Sequence, residues 1–367
     1  MSGQINVDVI QTSAGPSLGA GNASIMKNRI INGAMVIDQR NAGASVTPAS
    51  GASTYLVDRW RIYASQASKL TAQQNAGSVT PPVGFTKYEG ITSSSAYSIT
   101  STDIFTFNQQ IEGFNISDLA WGTANAKTVT LSFQVYSSLT GTFGGALKNL
   151  ASTQSYPFTY SIPVANTWTT ISITIAGSTS GVWNTDNTTG IGVFFGLGVG
   201  STYSGTAGSW ASGEYYSATG ATSVVGTNGA TFYITGVQLE VGSSATGFEY
   251  RYYGHELALC QRYYEQFNIT GGAGYGTGGS TISGQCRVMI PFLVQKRTTP
   301  SFSYSGNSGF QVQTNNTNNS VTGISQSGGS FGQASYLFAS TSITIGYAGT
   351  LIDSGGSGSY LAFSAEL

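Results

Sequence analysis

Charge is what this chain of 367 residues lacks most. Charged residues make up 8% of it, against an ordinary share of about 25%. Between Lys148 and Glu214 the one charged residue is Asp186. The net charge is −1, so there is no basic footprint for nucleic acid or an anionic membrane surface, and neither partner is expected. Cysteine is nearly absent. Two residues, Cys260 and Cys286, give neither a metal framework nor a disulfide scaffold, and both read as small buried hydrophobes. Long apolar runs are missing too. The longest, IGVFFGLGVG, is about half of the ~20 residues a spanning helix needs, so no membrane insertion is expected. The opening MSGQINVDVI has neither the basic nor the apolar region of a signal peptide. A soluble protein made in a cytoplasm is therefore expected.

What is present is glycine, 50 residues of 367, about twice the ordinary ~7%. Hydrophobic residues reach 40% and aromatics 12%, too many core formers for a disordered chain. Strand signals recur. KTVTLSFQVY places Val129, Leu131, Phe133 and Val135 on one face, and TTISITIAG does so with Ile171, Ile173 and Ile175. TFYITGVQLEVG alternates, breaks at Gly236, and alternates again through Val237, Leu239 and Val241. QCRVMIPFLV puts Cys286, Val288, Ile290, Phe292 and Val294 on one strand face. Short half-buried strands separated by Gly, Ser and Asn clusters predict an all-β chain of antiparallel sandwiches or barrels.

Composition divides the chain into four stretches. Residues 1–27 read as an N-terminal attachment arm, 28–250 as a large β domain, and 268–367 as a smaller β-sandwich domain. Between them, 251–267 reads as a linking helix. Leu257, Cys260, Tyr264 and Phe267 follow one another at spacings of 3, 4 and 3. That is one apolar stripe of a helix, and equally the seam of a short coiled coil. It would either pack on its own chain or join three chains on an axis.

NRIINGAMVIDQRNAG (28–43), YLVDRWRI (55–62), ATFYITGVQLEVGSSATGFEYR (230–251) and ELALCQRYYE (256–265) resemble, in register, a widespread group of tailed-bacteriophage virion proteins. Many of these, from phages of cyanobacteria and other aquatic bacteria, are called tail fibre or receptor-binding proteins. The resemblance covers roughly residues 28–265. It implies a jelly roll similar to carbohydrate-binding modules, then a helix, then a distal β domain, in a homotrimeric fibre. It also implies a place on the virion, contact with other virion proteins through the arm, and adhesion to a host surface polysaccharide. The rival readings are a structural head-decoration or tail-adaptor protein, or a polysaccharide depolymerase.

Chemistry-bearing residues are sparse. Acid–base hydrolysis needs two carboxylates about 5–10 Å apart. Asp103, Glu112, Asp118, Asp186, Glu214 and Glu240 form no tight motif. The one histidine, His255, sits at a helix start, and no nucleophile motif is found. GYGTGG (274–279) fits a phosphate-loop pattern but follows a helix, not a strand. No enzyme, cofactor or metal site is expected. Glycans are held by flat aromatic faces with amides and carboxylates. The loop aromatics Trp183, Tyr203, Trp210, Tyr215 and Tyr216 are candidates, as are Tyr275, Tyr304 and Tyr336 in the distal domain. Trp121 and Trp168 flank strong strands and read as core. Asp58 shares an apolar strand face with Leu56, Trp60 and Ile62. It needs a partner, and Arg40 is the candidate for a structural pair.

Overall fold

The computed structural model describes residues 27–315, 317–327, 332–355 and 358–367, with the backbone of one short antiparallel pair, Val9–Ile10 and Leu18–Gly19. Beyond that pair and Lys27, the proposed attachment arm lies outside the described residues. The chain divides into two compact units, Met1–Arg251 and Tyr252–Leu367.

The first unit is a jelly-roll sandwich of two antiparallel sheets. Its strands are β1 (Ser53–Tyr55), β2 (Arg61–Ala64), β3 (Leu70–Gln74), β4 (Glu89–Ser93), β5 (Ile104–Glu112) and β6 (Val129–Ser137). They continue with β7 (Gly141–Lys148), β8 (Ser155–Ile162), β9 (Thr169–Ile175), β10 (Thr189–Val199) and β11 (Thr231–Val241). One sheet runs β8-β7-β10-β5-β2-β1, the other β9-β6-β11-β4-β3. The alternating residues of β6 and β9 face inward as the period of two requires. Phe105 and Phe107 of β5, Phe143 and Leu147 of β7, and Val193 and Phe195 of β10 meet them from the other sheet. Each such side chain contributes about 1.5–3 kcal/mol by leaving water.

The break at Gly236 is a β-bulge, a register shift between Thr235 and Gln238 against β6. It lets both halves of β11 keep their apolar face inward. Gly236 has φ 63, and an added Cβ would sit 2.6 Å from Phe85 Cζ. Tyr55–Ile62 is not one strand. The Leu56 N–H donates to the Trp60 carbonyl and the Trp60 N–H to the Val57 carbonyl, across a turn in which Arg59 has φ 71. Asp58 therefore lies in a hairpin turn, fully buried, and accepts from the N–H and the side-chain amide of Gln39. Arg40 stacks its guanidinium 4.6 Å from the Tyr55 ring. Asn32 pins the same corner. Its amide donates to the Ile37 and Asp58 carbonyls, and its own carbonyl accepts from the Trp60 indole.

The second unit begins with α1 (Tyr253–Gln261), then β12 (Tyr264–Asn268), β13 (Gly274–Ile282), β14 (Gln285–Pro291), β15 (Ser301–Tyr304) and β16 (Phe310–Thr314). It ends with β17 (Thr317–Gln326), β18 (Ala334–Thr341), β19 (Ala348–Asp353) and β20 (Tyr360–Ser364). Where a sandwich was expected, β13-β14-β18-β17-β16-β19 close into a barrel, beside a three-stranded sheet β12-β20-β15. Cys286, Val288, Ile290, Val312, Leu337 and Leu351 fill the barrel. Cys286 is fully buried, and burial raises its thiol pKa.

Closure depends on glycine in β13. A Cβ on Gly278 would fall 1.6 Å from the Arg287 carbonyl oxygen of the paired strand. That oxygen is backbone and cannot step aside. Gly278→Ala is expected to cost the distal unit at least about 1–3 kcal/mol, as overpacking does, and calorimetry of the full chain checks it. An unchanged melting temperature would mean that β13 can shift off β14 freely.

The expected helix is shorter than its stripe. It ends at Gln261, and Tyr264 and Phe267 lie on β12, paired with Ser364 and Leu361 of β20. Tertiary pairing overrides the helical spacing, and the aromatic run YYEQF suits a strand. Cys260 is fully buried and Tyr264 nearly so within this one chain, while Phe267 packs on Phe363 at 6.1 Å. Leu257 is half-buried. Cys260, Tyr264 and Phe267 therefore take part in the distal unit's own packing, and they do not form one stripe of a helix.

The charges of this stretch are also turned inward, not toward solvent. Lys296 and Glu265 form an ion pair with side chains 0% and 1% exposed. Lys296 Nζ also donates to the Gln261 carbonyl at 2.6 Å, and Leu293 N–H donates to Glu265 at 3.2 Å. In the first unit, Glu249 accepts from the Asn28 N–H, and Arg251 donates to the Asn28 and Ile30 carbonyls. The charged residues at the division close each unit on itself.

Candidate functional site

The loop aromatics fall into two groups. Trp183 and Trp210 join Trp121 in a trio, with ring centroids 4.8–5.4 Å apart. Each indole N–H is already donated to a backbone carbonyl: Trp121 to Lys127, Trp183 to Ser180 and Trp210 to Ala176. Trp183 is 7% exposed. The trio packs the sandwich and offers no open ring face at Trp183, so that residue is not a glycan platform. Trp168 is half-buried against Tyr88 and Tyr136, 5.5 Å from each.

Tyr203 and Tyr216 do come together, on the outer face of the six-stranded sheet. The segment 201–222 crosses that face because the sheet beneath it is bare. A Cβ on Gly144 or Gly196 would lie 2.6 or 2.5 Å from Ser217 Oγ. Tyr215 packs over Gly205 and Gly213. This brings Tyr216 against Phe194 at 4.9 Å and Tyr203 at 5.9 Å. Lys148 Nζ stands 4.0 Å from the Tyr216 ring centroid and 5.4 Å from that of Phe194.

The carboxylate of Glu214 organises the cluster. Its Oε1 accepts from Lys148 Nζ at 3.0 Å, from Ser152 Oγ at 3.2 Å and from the Tyr216 hydroxyl. Its Oε2 has no protein donor among the described residues, and the side chain is 41% exposed. Burial opposes ionisation of Glu214, but the bonds from Tyr216, Lys148 and Ser152 outweigh it and hold the pKa below its ordinary value. The same bond works the other way on Tyr216. Burial first, then Glu214, push the phenol far above its ordinary pKa. Burial lowers the pKa of Lys148 against the pull of Glu214, and the Arg61 charge adds to the lowering. Arg61 bonds Asn108 Oδ1 at 2.9 Å on the same face, and Tyr63 acts electrostatically on Tyr216.

One oxygen is thus locked and the other presented, beside half-buried tyrosine rings. An acceptor of this kind suits a sugar hydroxyl. An ionised Glu214 is a poor general acid, which requires a carboxyl protonated near the working pH. Among the described residues no cluster of three His, Cys, Asp or Glu could hold a metal ion. No helix there is long and apolar enough to cross a membrane.

Lys148, Arg61, Tyr63 and Phe194 were not predicted as site residues. A signal existed. Gly192, Phe194 and Gly196 share the face of β10 opposite Val193, Phe195 and Leu197, an outward aromatic flanked by glycine.

In the distal unit, Tyr275 is core. It is 7% exposed, with its hydroxyl bonded to Ser359 and its ring 5.4 Å from Phe310. Tyr304 stacks on Phe302 at 5.6 Å and spends its hydroxyl on Asn307. Tyr336 lines an open groove.

No protein-family model matches the chain. No curated protein matches it either. Solved structures similar to it include the enzymatically active domain of tailspike protein 4 from bacteriophage CBA120. That one is 11% identical, covering 59% of this chain and 22% of that one, with TM-score 0.31. A family 4 carbohydrate-binding module is 16% identical, over 57% of this chain and 98% of its own, with TM-score 0.29. A putative sugar-binding protein from Bacteroides thetaiotaomicron is 14% identical, over 59% and 100%, with TM-score 0.33. This chain thus spans about a fifth of the tailspike domain. TM-scores this low assign no function to it.

Proposed function

We propose that this chain is an adhesin. It binds a neutral host-surface glycan through the outer face of the six-stranded sheet, as a homotrimeric fibre component of a phage virion. The observation that carries the binding role is Glu214, fixed through Oε1 by three donors and open through Oε2, next to Tyr203 and Tyr216. Preorganised acceptors beside aromatic faces hold hydroxyl-rich ligands at little entropic cost. The virion location and the trimer rest on the sequence resemblance. Contact with other virion proteins through residues 1–27 rests there too.

A glycan array of the full chain identifies the ligand, and titration then tests the face. Glu214→Ala and Tyr203→Ala are each expected to weaken binding at least about tenfold, or 1.4 kcal/mol. Tyr203 takes part in no ion pair, so its variant separates binding from folding. Affinity should change little with salt, because few charges are there to screen. Two variants that bind as the wild type does would remove the site. Light scattering checks assembly, where a monomeric mass would end the fibre reading. Release of reducing ends from the bound polysaccharide would favour the depolymerase.

A further inference from the structure

We infer that the distal barrel carries a second site, specific for a carboxylate-bearing sugar chain. Arg287 points outward from β14. Its guanidinium lies 4.8 Å from the Tyr336 ring centroid and 5.5 Å from that of Phe338, both on the neighbouring β18. No hydrogen bond or ion pair engages it among the described residues. Four other arginines are engaged by hydrogen bonds. Arg29 bonds Asp118, Arg61 bonds Asn108, Arg251 bonds Glu249, and Arg297 bonds the Ala365 and Glu366 carbonyls. In a chain with so few charges, an aromatic-backed guanidinium with all its N–H groups open is an anion receptor. Stacking fixes its plane, and its edge matches a carboxylate in bidentate geometry.

The surroundings narrow the ligand to a sugar. Arg287, Met289, Tyr336 and Thr281 border a groove of about 510 Å³ whose floor is Thr277, Gly278 and Gly279. On the other side of the same strand, Thr277 and Gly278 continue into a depression of about 310 Å³ bordered by Gln313, Asn315 and Thr350. The two meet across a stretch of β13 where only Thr277 stands up. An extended chain can lie there, its acid group at Arg287, one ring face on Tyr336, and its hydroxyls among Thr277, Gln313, Asn315 and Thr350. Around Arg287 the groove is lined by Met289 and the Tyr336 ring with Thr277 and Thr281, and the depression beyond it adds the hydroxyls and amides of Thr350, Gln313 and Asn315, so ring faces and hydrogen-bonding groups alternate along the track as a sugar chain requires. The glycines serve two ends, since Gly278 is also required for barrel closure.

The inference deepens the adhesion reading and rests on it only in taking the ligand to be a glycan. Its test uses the full chain titrated with trigalacturonate and with galactotriose, its neutral counterpart. Trigalacturonate is expected to bind. Arg287→Gln should weaken it at least about tenfold, as should about 1 M salt, where charges are screened within about 3 Å. Tyr336→Ala should weaken it as well, while Tyr203→Ala on the sandwich leaves it unchanged. Arg287 is exposed, so the R287Q chain should melt as the wild type does. Trigalacturonate that fails to bind, that binds R287Q equally, or that binds no better than galactotriose overturns the distal site. Each of those outcomes leaves the sandwich face standing, and loss of neutral-glycan binding in Tyr203→Ala leaves the distal site standing.

Discussion

Replacing Lys296 by Met is expected to destabilise the distal unit by about 3–5 kcal/mol, the usual result of breaking a buried ion pair from one side. The pair is wholly enclosed, with Lys296 also bound by the Gln261 and Val294 carbonyls and lying 4.7 Å from the Phe292 ring. Removing the ammonium leaves the Glu265 carboxylate buried with only the Leu293 N–H at 3.2 Å on its other oxygen. Adding Glu265→Leu to the Met variant should restore most of the loss, because an apolar pair of similar volume is often as stable as the ions it replaces. Calorimetry of the three chains checks this. A Lys296→Met curve that overlays the wild type would show the carboxylate to be reachable by water. The consequence reaches β12 and α1 together, since Lys296 ties the helix end at Gln261 to the strand residue Glu265.

Glu89→Gln is expected to do the opposite and stabilise the sandwich at neutral and alkaline pH. Glu89 sits on β4 opposite Gln74 and Ile234, 1% exposed, and neither carboxyl oxygen makes a well-formed hydrogen bond, with only a weak backbone interaction from Val57. Burial raises its pKa well above the ordinary value, the nearby Asp38 charge adds to this, and the Val57 backbone opposes it. A carboxyl raised in the folded state binds a proton that the unfolded chain releases. Its contribution is therefore fully present below the unfolded value of about 4.3, and is lost as pH rises through the folded pKa. The wild-type sandwich should lose stability from this group as pH climbs from about 4.3, while the Gln variant should not. The two should melt alike near pH 4, and Gln should lead by about 1–3 kcal/mol near pH 8. Parallel pH profiles would mean that Glu89 is ionised and partnered in the folded protein.

Much of the sandwich was legible because β6 and β9 alternate cleanly and the Gly236 break announces a bulge. Tyr55–Ile62 was misread because alternation continues through Leu56, Asp58 and Trp60 even where the chain turns. A two-residue period cannot distinguish a strand from a short hairpin whose turn residues happen to keep step. The stripe through Leu257 and Phe267 failed for a related reason. Spacings of 3 and 4 fit a helix, but Tyr264–Asn268 finds its partner about a hundred residues later, and no local pattern contains that information. Closure of the distal barrel was hidden in the same way, in pairings between distant strands. At the candidate site, tyrosines in a Gly-Ser loop were visible, but Lys148 and Phe194 were not. They matter through which strand lies under the loop, a matter of topology. Tyr275 looked like Tyr336 in sequence. One points into the barrel and the other out, and the bulge between Gly274 and Gly276 moves the phase of β13.

The three-stranded sheet of the distal unit has its latest strand in its middle, β20 between β12 and β15. During synthesis, β12 and β15 leave the ribosome without a partner for either edge. They wait while β16 to β19 emerge. At roughly 5–20 residues per second, that interval lasts seconds. The strands of the sandwich all precede Arg251 and can pair meanwhile. A nascent chain stalled before Tyr360 would therefore carry a finished first unit and an open second one, with two bare strand edges available to any neighbouring chain on the same polysome.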